Sequence, residues 1–506
     1  MEASSRVSGV LLPVFSVRSR GDFGVGDFGG LEGIFDWLQM AGQKMFMTLP
    51  LLPTTLDGSP YSTRSAFGLN PLFIDTRAVI DEYKLSLSPD DEAMLTQARD
   101  QAAVKYDLVF LLKLKVLNDA FVKFKAAPRP PEFTRFVEEE REWLPQWALF
   151  QSIAEERKYQ PWWEWPQPLA QREPKAIEEA ERRLATEVLR QQWLQWVAHQ
   201  HWAKVRKQAA ARGIQLCGDE PFIIGADSSD CWCHPGLLRR DARLGAPPDD
   251  FSSDGQDWGL PWFDFDAISR DAYAWLKFRA RKAASYYDVR RIDHVIGYFR
   301  QWIRDEKTPK GRFVPSDEAQ AAKLGDTNLS VLSSVAPVVA EDLGVIPKWA
   351  REVLERQKVP GYRVMRWSRE DGVYQHNHQY PAISLATTGT HDTETLREWW
   401  EKAPQWERDA CARTWPELQG LPTSPDYSPQ VHEALLRAAL QSSSGLCIIQ
   451  WQDVFAELER VNFPGTVAAT NWSYRMKVSS EELVHREDTA RAALWLKKLT
   501  VEGNRA

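Results

Sequence analysis

Three acidic residues stand out for where they fall in the chain. Asp293 ends the stretch Val289-Arg290-Arg291-Ile292-Asp293-His294, Glu341 follows Pro337-Val338-Val339-Ala340, and Asp392 closes Gly389-Thr390-His391-Asp392, just past Ser384-Leu385-Ala386-Thr387-Thr388. Each run reads as a short buried strand with a charged tip. Charged groups at the end of a buried strand are paired, hydrogen-bonded or working at a site. Two carboxylates flanking a scissile bond are the working unit of glycoside chemistry, one as nucleophile and one as general acid/base. Arg291 precedes Asp293 by two residues, hence on the same strand face, and a guanidinium there stabilises the negative charge of a nucleophile. Glu341 follows apolar Val339 and Ala340, where partial desolvation would favour the proton that a donor needs. Asp392, flanked by Thr390 and His391, is placed to bind sugar hydroxyls and to stabilise a developing oxocarbenium charge.

Singly, each of these has a structural reading. Arg-x-Asp at a strand end makes an ion pair, Glu-Asp-Leu-Gly is a helix entry that favours acids, and His-Asp occurs in surface loops. What joins them is the order of elements. Apolar runs at residues 9–14, 44–50, 213–219, 289–293, 337–341, 362–367, 384–388 and 445–449 read as eight strands, with helical patterns between most neighbours. The third also ends in an acid, Asp219. This alternation predicts an α/β fold, a (β/α)8 barrel with helical and loop insertions, whose active site lies at the C-terminal strand ends. Strand counting alone leaves a doubly wound sheet open. A single catalytic domain over residues 1–506 is expected, with a helix-rich insertion at 75–206 after strand two and an active-site loop insertion at 220–270 after strand three. The spacing also predicts a helix over 31–41 capped by Gly42 and another over 271–285.

The whole chain narrows the classes. Its 506 residues carry a net charge of −7, with 43% hydrophobic and 26% charged residues and a pI near 5.9, which argues against nucleic acid or an anionic membrane as partner. The 23 Trp are divided between a Trp-rich core and flat, part-apolar ligand surfaces. The five cysteines are scattered, as in a reducing compartment, and Cys231-Trp232-Cys233-His234 lacks the second pair a zinc site needs. With no apolar leader and no 18-residue apolar run, a cytoplasmic protein is expected. Gly24-Val25-Gly26-Asp27-Phe28-Gly29 spells a dinucleotide fingerprint, but it lies about ten residues past the first strand and lacks the acid expected after a second strand. A Gly-rich loop entering a helix is the better reading.

Motifs from end to end resemble the 4-α-glucanotransferases called amylomaltase or disproportionating enzyme, glycoside hydrolase family 77 of the α-amylase clan. They include Gly9-Val10-Leu11-Leu12, Ser59-Pro60-Tyr61, Trp162-Trp163-Glu164-Trp165-Pro166, Gly218-Asp219-Glu220-Pro221 and Pro247-Pro248-Asp249. Gly24-Val25-Gly26-Asp27, Ala41-Gly42-Gln43, Leu49-Pro50-Leu51, Arg291-Ile292-Asp293-His294, Ala340-Glu341-Asp342-Leu343-Gly344, Gly389-Thr390-His391-Asp392, Asn462-Phe463-Pro464-Gly465-Thr466 and Asn471-Trp472 complete the set.

The resemblance implies Asp293 as nucleophile, Glu341 as general acid/base and Asp392 as transition-state stabiliser. Arg291, His294 and His391 match residues that hold the sugar at the cleavage point. Asp249, Gln256 and Trp258 fall in the loop over the donor chain, and Ser59, Tyr61, Asp219 and Asn462 match further glucan contacts. The implied reaction is a retaining transfer from a donor α-1,4-glucan or maltooligosaccharide to the 4-hydroxyl of glucose or maltodextrin, with no metal or organic cofactor, by a monomer or weak oligomer. An amylase-type hydrolase and a catalytically inactive glucan-binding protein are the alternatives. The chain departs from the family at Asp250, where an aromatic often follows Pro-Pro-Asp, and in a short segment between Cys233 and Pro247; tight donor cover and a preference for very long or cyclic glucans are therefore not carried over. Thr393-Glu394 replaces the Asn-Asp often seen after the His-Asp pair, which bears on loop anchoring.

Overall fold

Eight parallel strands close on themselves: β1 (Val7–Leu11), β2 (Met45–Thr48), β3 (Gln215–Glu220), β4 (Val289–Ile292), β5 (Val338–Ala340), β6 (Gly361–Val364), β7 (Ser384–Thr387) and β8 (Leu446–Gln450). Sequence neighbours pair around the ring, and β8 returns to β1 in register from Val7 opposite Leu446 to Leu11 opposite Gln450. That closure excludes the doubly wound sheet, whose edges stay open, and bears out the (β/α)8 barrel. The computed structural model describes residues 6–55, 58–248, 255–305, 307, 310–370 and 372–505; the expected site residue Asp249 and the departure at Asp250 lie outside them.

All but the last of the strands are shorter than the apolar runs that announce them. Val14–Ser16 and Met365–Trp367 are single 3₁₀ turns rather than strand ends. Asp293, Glu341 and Thr388 stand just past β4, β5 and β7, where the chain turns out of the ladder. Helix Leu31–Met40 follows β1, and Gly42 beyond it has φ +68, the left-handed conformation glycine adopts without penalty. Between β2 and β3 the named elements are helical, the longest being Tyr106–Ala126 and Ala185–Ala211. The helix expected over 271–285 is found as Ala274–Tyr286; a separate short helix, Phe265–Arg270, precedes it, and Ala272 and Tyr273 between the two have positive φ.

A second sheet was not legible in the sequence. Leu238–Ala246 pairs antiparallel with Gln256–Phe263 and with Gln301–Arg304, which pairs in turn with Arg312–Val314. The alternation Trp258, Leu260, Trp262 marks one of these strands, but Gly259 and Pro261 interrupt it and read as loop. The core takes most of the aromatic load: Trp37, Trp193, Trp202, Trp232, Trp400 and Trp415 are fully buried. All five cysteines are free thiols, and among the described residues no His/Cys/Asp/Glu group is arranged to hold a metal ion. No helix among them is long and apolar enough to cross a membrane.

The glycine motif at residues 24–29 has a packing explanation. Gly24 has φ +86, and a Cβ on Gly26 would fall onto the Val14 carbonyl oxygen, so backbone sits directly on backbone. Asp27 accepts the Gly29 N–H at 3.0 Å and pairs with buried Lys113 at 3.4 Å, joining this loop to helix Tyr106–Ala126. Gly26→Ala is therefore expected to destabilise the protein by about 2–3 kcal/mol through overpacking. Denaturant unfolding checks this, and a midpoint unchanged from wild type would show that the loop can yield.

Candidate active site

The mouth of the barrel is organised by strand parity. Asp219 on β3 stands opposite Arg291 on β4 in the parallel register, so both side chains leave the same face, together with Asp293 two residues further on. The Arg291 Nη1 donates to both Asp219 oxygens and to Asp293 Oδ1, each at 2.7 Å. The alternate residues point the other way. Glu220 and Arg290 form a 3.1 Å ion pair joined at 3.2 Å by Arg279 of helix Ala274–Tyr286, which fastens that helix to the barrel wall.

Tyr61, on the loop after β2, donates its hydroxyl to Asp219 Oδ2 at 2.7 Å and lies 3.0 Å from His391 Nε2. The rings of Tyr61 and His391 stack at 5.2 Å. His391 Nε2 is 3.3 Å from Asp392 Oδ2, and Asn462 Nδ2 donates to Asp392 Oδ1 at 2.7 Å. Glu341 is held by backbone: its Oε2 accepts the His294 N–H at 2.8 Å and its Oε1 the Leu343 N–H at 3.2 Å. His294, which supplies that donor, itself lies in the left-handed region at φ +43, a conformation costing a non-glycine residue about 1–2 kcal/mol.

Nine of the expected residues thus form one connected or adjoining set: Tyr61, Asp219, Arg291, Asp293, His294, Glu341, His391, Asp392 and Asn462. Trp258 reaches it through a perpendicular ring contact with His294, 4.9 Å between centroids, and Gln256 through a 2.9 Å bond to the Trp258 indole N–H. Ser59 accepts the Tyr61 backbone N–H at 3.3 Å and so shapes the loop beneath Tyr61. Sequence reasoning missed Tyr362, whose ring lies 5.6 Å below the Arg291 guanidinium, and Arg460, which donates to the Asp392 carbonyl at 3.1 Å. It also left out Trp472, tilted against Tyr61 and His391 at 5.7 and 5.8 Å. Trp472 lies within a motif of the family resemblance, but its reach to Tyr61 depends on tertiary folding.

The electrostatics separate the acids. Burial pushes the Glu341 carboxyl up to about 7; the Arg291 charge opposes the rise and the Asp293 charge adds to it. Burial also works against the charge on Asp392, but the His391 imidazolium, its hydrogen bond and the Asn462 amide outweigh it and bring the carboxyl down to about 2. His391 is raised in return, the Asp392 charge and hydrogen bond overcoming its desolvation. One carboxyl is therefore built to carry a proton near neutrality and another to remain charged, the division of labour that acid-assisted displacement at carbon requires.

A family profile described as 4-alpha-glucanotransferase matches residues 12–480. The 4-alpha-glucanotransferase of Chlamydia muridarum is 33% identical over 94% of this chain and 92% of its own length. That of Thermus thermophilus is 33% identical over 93% and 95%. Among solved structures, the amylomaltase from Streptococcus agalactiae in complex with acarbose superposes with a TM-score of 0.88 at 27% identity, covering 99% of this chain and all of that one.

Glu341 should therefore keep its proton until the pH rises through about 7, while Asp392 stays ionised down to about 2. Infrared difference spectra across pH, with Glu341→Gln and Asp392→Asn used to assign the carboxyl bands, test both. A Glu341 midpoint in the ordinary range near 4.5 would show that the site is wetter than this geometry.

Proposed function

The chain belongs to the 4-alpha-glucanotransferase family, and on that premise we propose that it moves α-1,4-glucan segments between chains by a retaining double displacement. The donor is a maltodextrin and the acceptor the 4-hydroxyl of glucose or of another glucan. The observation that carries this reading is the pairing of a proton-holding Glu341, pinned by two backbone N–H groups, with an Asp293 oriented by Arg291.

In the first half-reaction Asp293 attacks C1 of the donor as the C1–O bond to the leaving glucan breaks. Glu341 gives its proton to the departing oxygen, and a glycosyl ester forms on Asp293 with inverted configuration. In the second, the Glu341 carboxylate takes the proton from an acceptor 4-hydroxyl, that oxygen attacks C1, and Asp293 leaves. Two inversions give net retention. Asp392, held ionised by His391 and Asn462, stabilises the positive charge that develops on the sugar ring in both steps. Arg291 keeps the nucleophile oriented and, through Asp219 and Tyr61, ties it to the loop after β2. Trp258, in the strand Gln256–Phe263, offers an aromatic face beside His294 on which the donor chain stacks.

Incubation with maltotriose tests the reaction type. Transfer yields glucose and a ladder of longer maltodextrins; glucose and maltose without any product longer than the substrate would replace transfer by hydrolysis, and no reaction would favour a glucan-binding role. Asp293→Asn is expected to lower turnover on the order of 10⁴-fold with the fold intact. Glu341→Gln should slow maltooligosaccharides by about 10²–10⁴-fold yet spare the glycosylation step of an α-glucosyl fluoride, whose leaving group needs no proton. Equal losses on the two substrates would remove Glu341 from the acid role. The wild-type rate should fall on the alkaline side as pH passes about 7, because that is where Glu341 surrenders its proton.

A further inference from the structure

Glu394, two residues past Asp392, sits between two guanidinium groups. Its Oε2 is 3.4 Å from Nη1 of Arg366, which follows β6, and its Oε1 is 3.4 Å from Nη1 of Arg460, which follows β8. Arg366 is buried, and its Nη2 also donates to the Thr388 carbonyl (3.1 Å), the Thr393 hydroxyl (3.2 Å) and the Glu394 carbonyl (2.6 Å). The Thr393 hydroxyl accepts the Thr390 N–H at 3.0 Å and so closes the turn around His391 and Asp392. Arg460 lies over the Phe463 ring at 4.4 Å and gives its Nη2 to the Asp392 carbonyl at 3.1 Å. Asn462, two residues on, bonds the Asp392 carboxylate and the His391 carbonyl. The bonds that Arg460 and Asn462 make to Asp392 therefore come from a segment joined to the turn of Asp392 through Glu394, while the Asp392 N–H is held within that turn by the Thr390 hydroxyl.

We propose that Glu394, with Arg366 and Arg460, is the positioning device for Asp392: a bridging carboxylate that locks the loops after β6, β7 and β8 into one body. It acts through Asp392 and does not itself touch substrate, and it rests on the reading of Asp392 as the transition-state stabiliser. At Thr393-Glu394, where the family the chain resembles often has Asn-Asp, the acid is kept with a side chain one methylene longer. Its physical logic is charge compensation. A buried Arg366 needs anions within reach; the buried Asp453 is the stronger and Glu394 the second, and Glu394 alone of these two also pairs with Arg460, tying both guanidinium groups to one carboxylate.

The experiment is a kinetic comparison of Glu394→Gln, Glu394→Asp, Asn462→Ser and the double variant Glu394→Gln/Asn462→Ser, with Asp392→Asn as control and melting temperatures alongside. Glu394→Gln should lower kcat about tenfold, leave KM within twofold and shift melting by only a few degrees. Glu394→Asp keeps the charge and should restore more than half of the loss. The double variant should lose much less than the product of the single losses, because both act on one displaced carboxylate. Independent, multiplicative losses, or a fall in stability with kcat preserved, would overturn the clamp. An active Asp392→Asn would overturn instead the role of Asp392 on which the clamp depends.

Discussion

A single buried guanidinium sets the terms for the mouth of this barrel. Arg291 is out of water, and one of its nitrogens is shared by Asp219 and Asp293. Removing Asp219 would break the fully buried pair, a loss of about 3–5 kcal/mol. The pairing is secured before any side chain chooses a rotamer, because the β3–β4 register places Asp219 opposite Arg291. From there the bonds run outward: Tyr61 onto Asp219, His391 beside Tyr61, Asp392 beside His391, Asn462 onto Asp392. Each group completes the hydrogen bonding or charge of the one before it. The site is a chain of compensations that begins with one cation.

The neighbouring arginine shows how economical the arrangement is. Arg290 and Arg291 are consecutive, yet one faces the barrel interior and the other the helical layer, where it meets Glu220 and Arg279. Two tandem Asp-Glu and Arg-Arg pairs on adjacent strands thus serve a candidate reaction centre and a structural staple at once. Strand alternation alone sorts them.

Parity of this kind is what a sequence displays well. The eight strands, their acidic tips and the shared face of Arg291 and Asp293 follow from period-two patterns and apolar runs. What depends on distant pairing does not. Asp392 and Asn462 are 70 residues apart, Tyr61 and Asp219 are 158 apart, and only closure of the barrel brings them together; for these the family resemblance did what periodicity could not. The antiparallel sheet containing Gln256 and Trp258 was hidden by Gly259 and Pro261. Arg460 and Tyr362 were passed over because nothing local separates them from ordinary surface and core residues.

The left-handed turn at His294 has a mechanical corollary. Its N–H, which holds the Glu341 carboxylate, belongs to the peptide unit whose carbonyl carbon is that of Asp293. The two carboxyls are therefore gauged against each other by covalent bonds and one short hydrogen bond, like the jaws of a caliper fixed to a common beam. A displacement of the main chain at Asp293 carries the jaw that grips Glu341 with it.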